Sequence, residues 1–153
     1  MKNLNSNSPH PHFTHVSNDY LLLSGEVYLG YSLAFGTDIE LFHKDELIQK
    51  YVCCNNGYFY FRLEYENTYK LTASKPGYKT KSVIFNTHLN GVAVKKREYA
   101  FGISMIEQDS TIVNSNKEIP VAIIEFNSKH QCFEHNKDYQ AALNNGSINK
   151  KAA

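Results

Sequence analysis

The chain has 153 residues, enough for one domain with its own core, and its 42% hydrophobic and 20% charged residues exclude wholesale disorder. Its 16 basic and 15 acidic residues nearly cancel, whereas proteins that bind nucleic acid usually carry a clear basic excess. No apolar run reaches the ~18 residues of a membrane span. We therefore expect neither a nucleic-acid partner nor a membrane span.

Residues 1–19 are polar and predict a flexible N-terminal segment. His10, His12 and His15 lie in it and carry imidazoles that can bind transition metals, but a flexible tail does not orient them, so we expect no bound metal. The segment also lacks the apolar core of a secretion signal. The chain is therefore expected to be either cytoplasmic or a mature form whose signal was removed.

Alternation of apolar and polar residues with a period of two starts after Tyr20 and predicts a first strand that extends to Leu29. Further strands are predicted, in chain order, at 38–43, 47–54, 58–63, 68–75, 78–87, 98–107 and 120–126. Asn55-Asn56-Gly57 and Pro76-Gly77 are turn signals between them. Short strands at this spacing indicate an all-β fold, an antiparallel Ig-like or transthyretin-like β-sandwich.

The sandwich domain is expected over residues 20–126, and residues 127–153 are expected to form a C-terminal extension. A short helix is predicted in that extension at Asn136–Asn145, with Asn136 or Asp138 as its N-cap. The side chains predicted to form the core of the sandwich are Val27, Ile39, Leu41, Phe59, Phe61, Leu63, Leu71 and Ile123.

The three cysteines are a candidate site for a metal or a disulfide. Cys53 and Cys54 are neighbours in the sequence, so a bridge between them would be strained, and Cys132 reaches either only through a tertiary contact. A Cys/His site with His130 or His135 is the functional alternative, but the short Cys-x-x-Cys spacing of structural zinc is absent. We therefore expect three reduced thiols, no metal ligands and no cofactor.

Tyrosines on the predicted strands are a candidate binding surface for a sugar or a peptide. Tyr28, Tyr58, Tyr60 and Tyr78 would form an aromatic strip. The alternative is that these rings pack on the sheet with their hydroxyl groups at its rim, which is usual for strand tyrosines. Coplanar, solvent-exposed rings would favour binding.

Several motifs in residues 23–87 occur in a characteristic order. They are Leu23, Gly25 and Val27 in one strand, then Ile39-Glu40-Leu41-Phe42, then Asn55-Asn56-Gly57-Tyr58-Phe59-Tyr60-Phe61, and then Tyr69-Lys70-Leu71-Thr72-Ala73-Ser74-Lys75-Pro76-Gly77-Tyr78. This order resembles the carboxypeptidase-regulatory-like (transthyretin-like, prealbumin-like) β-sandwich family. The later part of the chain is similar to a tail found on bacterial cell-envelope members.

The resemblance implies a scaffold without zinc ligands, located in the periplasm or cell envelope. Related transthyretin-like hydrolases use a His/Arg set and a C-terminal Tyr-Arg-Gly-Ser, which this sequence lacks, and Arg62 and Arg97 are its only arginines. The chain also has no Gly-rich phosphate loop, serine nucleophile elbow or metalloprotease helix. We therefore expect no catalytic residues and predict a protein that is not an enzyme. The expected function is a non-catalytic binding or structural module in a bacterial envelope assembly, and a carbohydrate- or peptide-binding module is the alternative.

The loop after the first strand departs from the family pattern. Where the family usually has an acidic turn, this chain has Tyr31-Ser32-Leu33-Ala34-Phe35. Large apolar side chains in a loop are costly to expose unless something covers them. We predict that Tyr31, Leu33 and Phe35 are covered either by the chain's own C-terminal segment around Phe133 and Tyr139 or by a protein partner.

Overall fold

A computed structural model of the protein describes residues 20–53, 57–109 and 119–150. The elements are β1 (Tyr20–Leu29), β2 (Ser32–Leu33), β3 (Asp38–His43), β4 (Glu46–Val52), β5 (Tyr58–Glu64), β6 (Thr68–Ser74), β7 (Lys81–Asn86), β8 (Glu98–Met105), β9 (Ala122–Asn127), β10 (Cys132–His135), α1 (Lys137–Asn144) and α2 (Ser147–Lys150). The strands form two sheets around a shared core, which confirms the predicted all-β sandwich. The predicted segment 1–19 lies outside the described residues.

The first sheet is built around β1, which is paired along both sides. β5 and the short β2 pair with β1 in the antiparallel direction, and β8 pairs with it in the parallel direction. The alternating pattern of β1 places Leu21, Leu23 and Val27 in the core, because successive side chains of a strand point to opposite faces. β5 and β8 are therefore the two edges of this sheet.

The second sheet has the strand order β10-β9-β7-β6-β3-β4. β7 and β9 are parallel, and the other neighbouring pairs are antiparallel. β10 lies in the segment that the sequence analysis assigned to a C-terminal extension, and it adds an edge strand whose Phe133 is buried. Strand β4 forms the opposite edge, where Leu47, Ile48 and Val52 are exposed.

The predicted core is buried except at one position. Val27, Ile39, Leu41, Phe59, Phe61, Leu63 and Leu71 are at most 2% exposed. Ile123 was predicted to be buried, but it is only partly buried, and its neighbours Ala122 and Ile124 face the core instead. The cause is the continuous apolar run from Val121 to Ile124, which contains no alternation from which the inward face can be read.

Gly25 lies against an aromatic ring in the core. It is paired with Phe59 of β5 on one side and with Phe101 of β8 on the other. The Phe59 ring lies over it, so that a Cβ atom at position 25 would be 2.3 Å from Phe59 Cζ. The rings of Phe59 and Phe101 meet edge to face, with centroids 5.7 Å apart. A side chain at position 25 would therefore have to displace an aromatic ring.

Helix α1 follows β10 and is fixed to the second sheet at its beginning. Of the two predicted N-cap candidates, Asn136 is the N-cap, and it accepts a hydrogen bond from the backbone N–H of Tyr139 at 2.8 Å. The Asn136 amide donates to Glu125 at 2.8 Å, and the Tyr139 hydroxyl donates to the carbonyl of Pro120 at 2.5 Å. The helices within the described ranges are all too short to cross a bilayer.

Candidate functional site

The loop that carries the predicted contact residues forms a tight hairpin at one end of the sandwich. Gly30 adopts a positive φ of 62° at its tip, and β2 returns to pair with the end of β1. Tyr31 projects fully into solvent, Phe35 is 55% exposed, and Leu33 is partly buried. The loop thus presents two aromatic rings to solvent.

Hydrogen bonds from three neighbouring segments hold this loop in place. The N–H of Ala34 donates to the Val27 carbonyl at 2.8 Å, and the N–H of Gly36 donates to the Cys53 carbonyl at 2.7 Å. Lys75 Nζ donates to the Phe35 carbonyl at 2.6 Å. Ala34 is completely buried and belongs to the core cluster. The rings of Tyr31 and Phe35 are therefore displayed on a backbone that is anchored at several points.

The two residues expected to cover the loop from within the chain make their contacts elsewhere. Phe133 stacks on Tyr65 with centroids 6.2 Å apart, near the end of β5 that pairs with Tyr20 and so at the far end of β1 from the loop. Tyr139 bonds to Pro120. The self-covering alternative fails for Phe133 and Tyr139, because Tyr31 is fully exposed in the structure that contains them.

Three of the four predicted tyrosines share the outer face of the first sheet. Tyr28, Tyr58 and Tyr60 lie on it, whereas Tyr78 forms a bridge with Glu107 beyond the end of β8. A depression of about 310 Å³ lies between Tyr28 and Tyr58. Its floor includes Gly102, where a Cβ atom would be 3.2 Å from the Tyr28 ring.

Glu26 supplies the charge in this depression. The Tyr58 hydroxyl donates a hydrogen bond to the Glu26 carboxylate, and that hydrogen bond is the main cause that raises the pKa of Tyr58. Ser24 and Ala100 complete a floor of small side chains. The face thus combines aromatic rings, a carboxylate and a hydroxyl group. The sequence-based criterion for binding was solvent-exposed, coplanar rings, and of these tyrosines Tyr58 and Tyr60 are exposed, at 50% and 58%.

A second cavity, which the sequence analysis did not predict, opens between the two sheets. It lies along the edge strand β8, with β7, β9 and β10 opposite, and measures about 360 Å³. Its polar residues come from distant parts of the sequence: Lys81, Tyr99, Ser104, His135 and Gln140. The only signal of it in the sequence is the lysine at position 81, which continues the inward alternation of Val83 and Phe85.

The candidate cysteine and histidine ligands are widely separated. Cys53 is buried next to β4, and its thiol lies 4.0 Å from the Tyr58 carbonyl. Cys132 is in β10, at the opposite edge of the six-stranded sheet. Five inter-strand steps of ~4.8 Å place these edges about 24 Å apart, too far for a disulfide.

The histidines near Cys132 have other partners. His130 Nδ1 lies 3.1 Å from Glu134 Oε2, and the His135 ring packs near Tyr99 with centroids 6.2 Å apart. Among the described residues no three His, Cys, Asp or Glu side chains are grouped as metal ligands. Cys54 and the predicted histidine run at His10, His12 and His15 lie outside those residues.

No family model and no curated protein matches the chain. Among solved structures it is similar to catechol 1,2-dioxygenase from Acinetobacter radioresistens, with 12% identity over 66% of this chain and 56% of that one and a TM-score of 0.47. Catechol 1,2-dioxygenase from Acinetobacter sp. ADP1, inhibited by bound mercury, matches with 11% identity over 71% and 60% and a TM-score of 0.46. S.CueP matches with 14% identity over 57% and 64% and a TM-score of 0.40. The chain thus spans less than two thirds of each.

This comparison contradicts the prediction that the chain is not an enzyme, because the structures to which the chain is similar include dioxygenases. We therefore do not retain it. At 11–14% identity the likeness concerns the fold alone, so it assigns no reaction and no residue role to this chain.

Proposed function

We propose that this chain is a binding module that attaches to a partner protein through the hairpin end of its sandwich, with Tyr31, Leu33 and Phe35 as the contact residues. The observation that carries the proposal is the exposure of Tyr31 and Phe35 on an anchored backbone. Aromatic side chains of this kind are the usual anchors of protein interfaces, since they bury a large area for little loss of side-chain entropy.

Anchoring of the loop also favours binding in energetic terms. A partner that binds a mobile loop must offset the entropy lost when the loop becomes ordered. Here Ala34 and Gly36 already hold the backbone by hydrogen bonds, and the Lys75 ammonium fixes the Phe35 carbonyl. The partner is expected to offer an apolar pocket for the two rings.

The finer assignment of this module rests on the sequence motifs. The Leu23-x-Gly25-x-Val27 pattern lies in β1, and the motif that begins at Tyr69 starts in β6 and continues past its end at Ser74. These motifs support membership of the carboxypeptidase-regulatory-like family, bacterial cell-envelope type. We extend the proposal accordingly to an accessory component of a bacterial envelope assembly.

A second candidate function is the binding of a carbohydrate or peptide on the tyrosine face. The observation that favours it is the depression between Tyr28 and Tyr58, next to the Glu26 carboxylate. Titration with oligosaccharides and short peptides, followed by amide chemical shifts, tests it. Saturable shifts at Ser24 and Gly102 that disappear in Tyr58→Ala would support this function, and unchanged spectra would oppose it.

The hairpin proposal is tested by comparing two double variants of the full chain. Tyr31→Ser with Phe35→Ser removes both exposed rings. Leu47→Ser with Ile48→Ser removes two other exposed apolar side chains, 48% and 49% exposed, from the first half of β4, far from the hairpin. Proteins captured from the native host by the wild type are identified, and the purified partner is then titrated directly.

We expect the hairpin variant to lose at least about 30-fold in affinity for that partner, since the loss of a single hot-spot side chain costs about 2 kcal/mol and the variant removes two such side chains. The β4 variant should bind like the wild type, and the melting temperature of the hairpin variant should be unchanged. Equal binding by the wild type and the hairpin variant would contradict the proposal. A loss of binding in the β4 variant alone would place the interface at the sheet edge instead.

A further inference from the structure

The cavity along β8 has the position and size of a small-molecule site. The first sheet ends at β8 on this side, while the second sheet continues through β9 and β10, so the two layers leave a cleft between them. Its volume of about 360 Å³ lies at the lower end of the range of ligand pockets. It lies along a side of the sandwich, distinct from the hairpin.

Lys81 is an unusual residue to find in this cleft. It occupies the inward-facing alternation of β7, the same one that places Val83 and Phe85 in the core. Burial lowers the pKa of its ammonium group, and no hydrogen bond or ion pair joins that group to another of the described residues. An ammonium group that is partly shielded from water and has no counter-ion costs free energy, so an anion in the cleft would relieve that cost.

Two further polar side chains converge on the same space. Burial raises the pKa of Tyr99 to about 12, so its hydroxyl group keeps its proton and can donate a hydrogen bond at neutral pH. The His135 ring lies beside the Tyr99 ring. No acidic residue is among the described residues that line the cleft. Among the Lys, Arg, Asp and Glu side chains of the described residues, Lys81 is therefore the one that lines the cleft.

Most of the remaining lining residues are apolar, apart from Ser104 and Gln140. The apolar side chains are those of Val83, Phe101, Ile103, Val121, Ala122 and Ile124. A ligand that matches both parts of the cleft has one anionic group and a hydrocarbon or aromatic body. A phosphate dianion fits less well, since one ammonium group leaves its second negative charge without a partner.

We infer that the cleft binds a small organic monocarboxylate, whose carboxylate pairs with Lys81 and accepts hydrogen bonds from Tyr99 and His135 while its apolar body packs against β8 and β9. Hydrogen bonds to a charged group are stronger than those to a neutral group, so the cleft is expected to select a carboxylate over an uncharged polar group. This inference is independent of the proposed hairpin interface, because it uses other residues on another side of the sandwich.

The test uses the full ¹⁵N-labelled chain and three probes of one shape: 3-phenylpropionate, 3-phenylpropan-1-ol and 3-phenylpropylammonium. Amide shifts are expected at Val83, Tyr99 and Ala122. The acid should bind at least about tenfold more tightly than the alcohol, because the alcohol lacks the carboxylate that accepts charge-assisted hydrogen bonds. The ammonium probe should bind more weakly still.

Two lysine variants complete the experiment. Lys81→Met keeps the apolar stem and removes the charge, so it should fold normally, lose about tenfold or more in affinity for the acid and bind acid and alcohol equally. Lys79→Met, at an exposed neighbouring lysine, should bind like the wild type. Equal binding of acid and alcohol by the wild type would overturn the inference. So would unchanged binding of the acid by Lys81→Met, or shifts confined to the tyrosine face.

Discussion

Replacement of Gly25 by alanine tests the packing at the centre of the sandwich. The added methyl group would be 2.3 Å from Cζ of Phe59 and 2.8 and 2.9 Å from its Cε atoms, far inside van der Waals contact. Phe59 cannot turn aside freely, because its ring packs against Phe61 and Phe101 with centroids 5.9 and 5.7 Å away. The strain must therefore be shared by several core side chains.

Overpacking of this severity costs about 3 kcal/mol, and the lower entropy of an unfolded chain with alanine offsets about 0.5–1 kcal/mol. We expect a net loss of about 2 kcal/mol in the free energy of unfolding, or a fall in Tm of about 4–8 °C. Urea unfolding followed by circular dichroism measures it. Gly102→Ala is the matched control, since its methyl group meets only the partly exposed Tyr28 ring, at 3.2 Å.

A double-variant cycle with Phe59→Leu identifies the cause. The smaller side chain makes room for the methyl group, so Gly25→Ala should cost at least about 1 kcal/mol less in that background. The reasoning would be refuted if Gly25→Ala were as stable as the wild type, or if its cost were the same with leucine at position 59.

Three further changes test other parts of the fold. Phe61→Ala should lower the free energy of unfolding by about 3–5 kcal/mol, because Phe61 is only 1% exposed, and a loss below about 1 kcal/mol would contradict its place in the core. Thr87→Val should lower the free energy of unfolding in urea by about 1–3 kcal/mol. The buried Thr87 hydroxyl lies 2.7 Å from the backbone carbonyl of Glu64 and accepts a hydrogen bond from the Asn67 N–H at 3.1 Å, so Thr87→Ser, which keeps a hydroxyl group, should lose less. Burial raises the pKa of Tyr99 from 10.0 to about 12, so the neutral phenol is favoured in the fold and its stabilising effect is lost as the pH rises from 10 to 12. The difference between a pKa of 10.0 and a pKa of about 12 corresponds to about 2.7 kcal/mol in the free energy of unfolding, which partial exposure reduces to about 1–2 kcal/mol. If the stability of the wild type depended on pH between 10 and 12 in the same way as that of Tyr99→Phe, Tyr99 would not be the group responsible.

The strands with a strict alternation could be predicted from the sequence with their correct inward face. In β5 every second residue from Phe59 to Leu63 is buried, as its pattern indicates. The same rule fails at Ile123, because four apolar residues in a row satisfy either register. β10 has only four residues, between polar segments, so its pairing with β9 depends on a tertiary contact that no local pattern shows.

Strand direction and the cleft are equally hidden in the sequence. β1 pairs in parallel with β8 about seventy-six residues later, and only the path of the long connection decides that direction. Lys81, Tyr99 and His135 belong to three separate strands, and no short-range spacing relates them. The hairpin residues Tyr31 and Phe35 could be selected because they break the expectation of a polar loop, which is a local feature.

Site-specific photo-crosslinking in the native host tests the proposed interface most directly. A photoreactive phenylalanine analogue is placed at position 31 and, as a control, at the exposed Lys129, in the turn after β9 at the other end of the sandwich. We expect one discrete adduct with a second protein from position 31, none from position 129, and loss of the position-31 adduct when Phe35→Ser is added. The same adducts at both positions, or a chain that reacts at position 31 only with its own residues, would rule out the proposed interface.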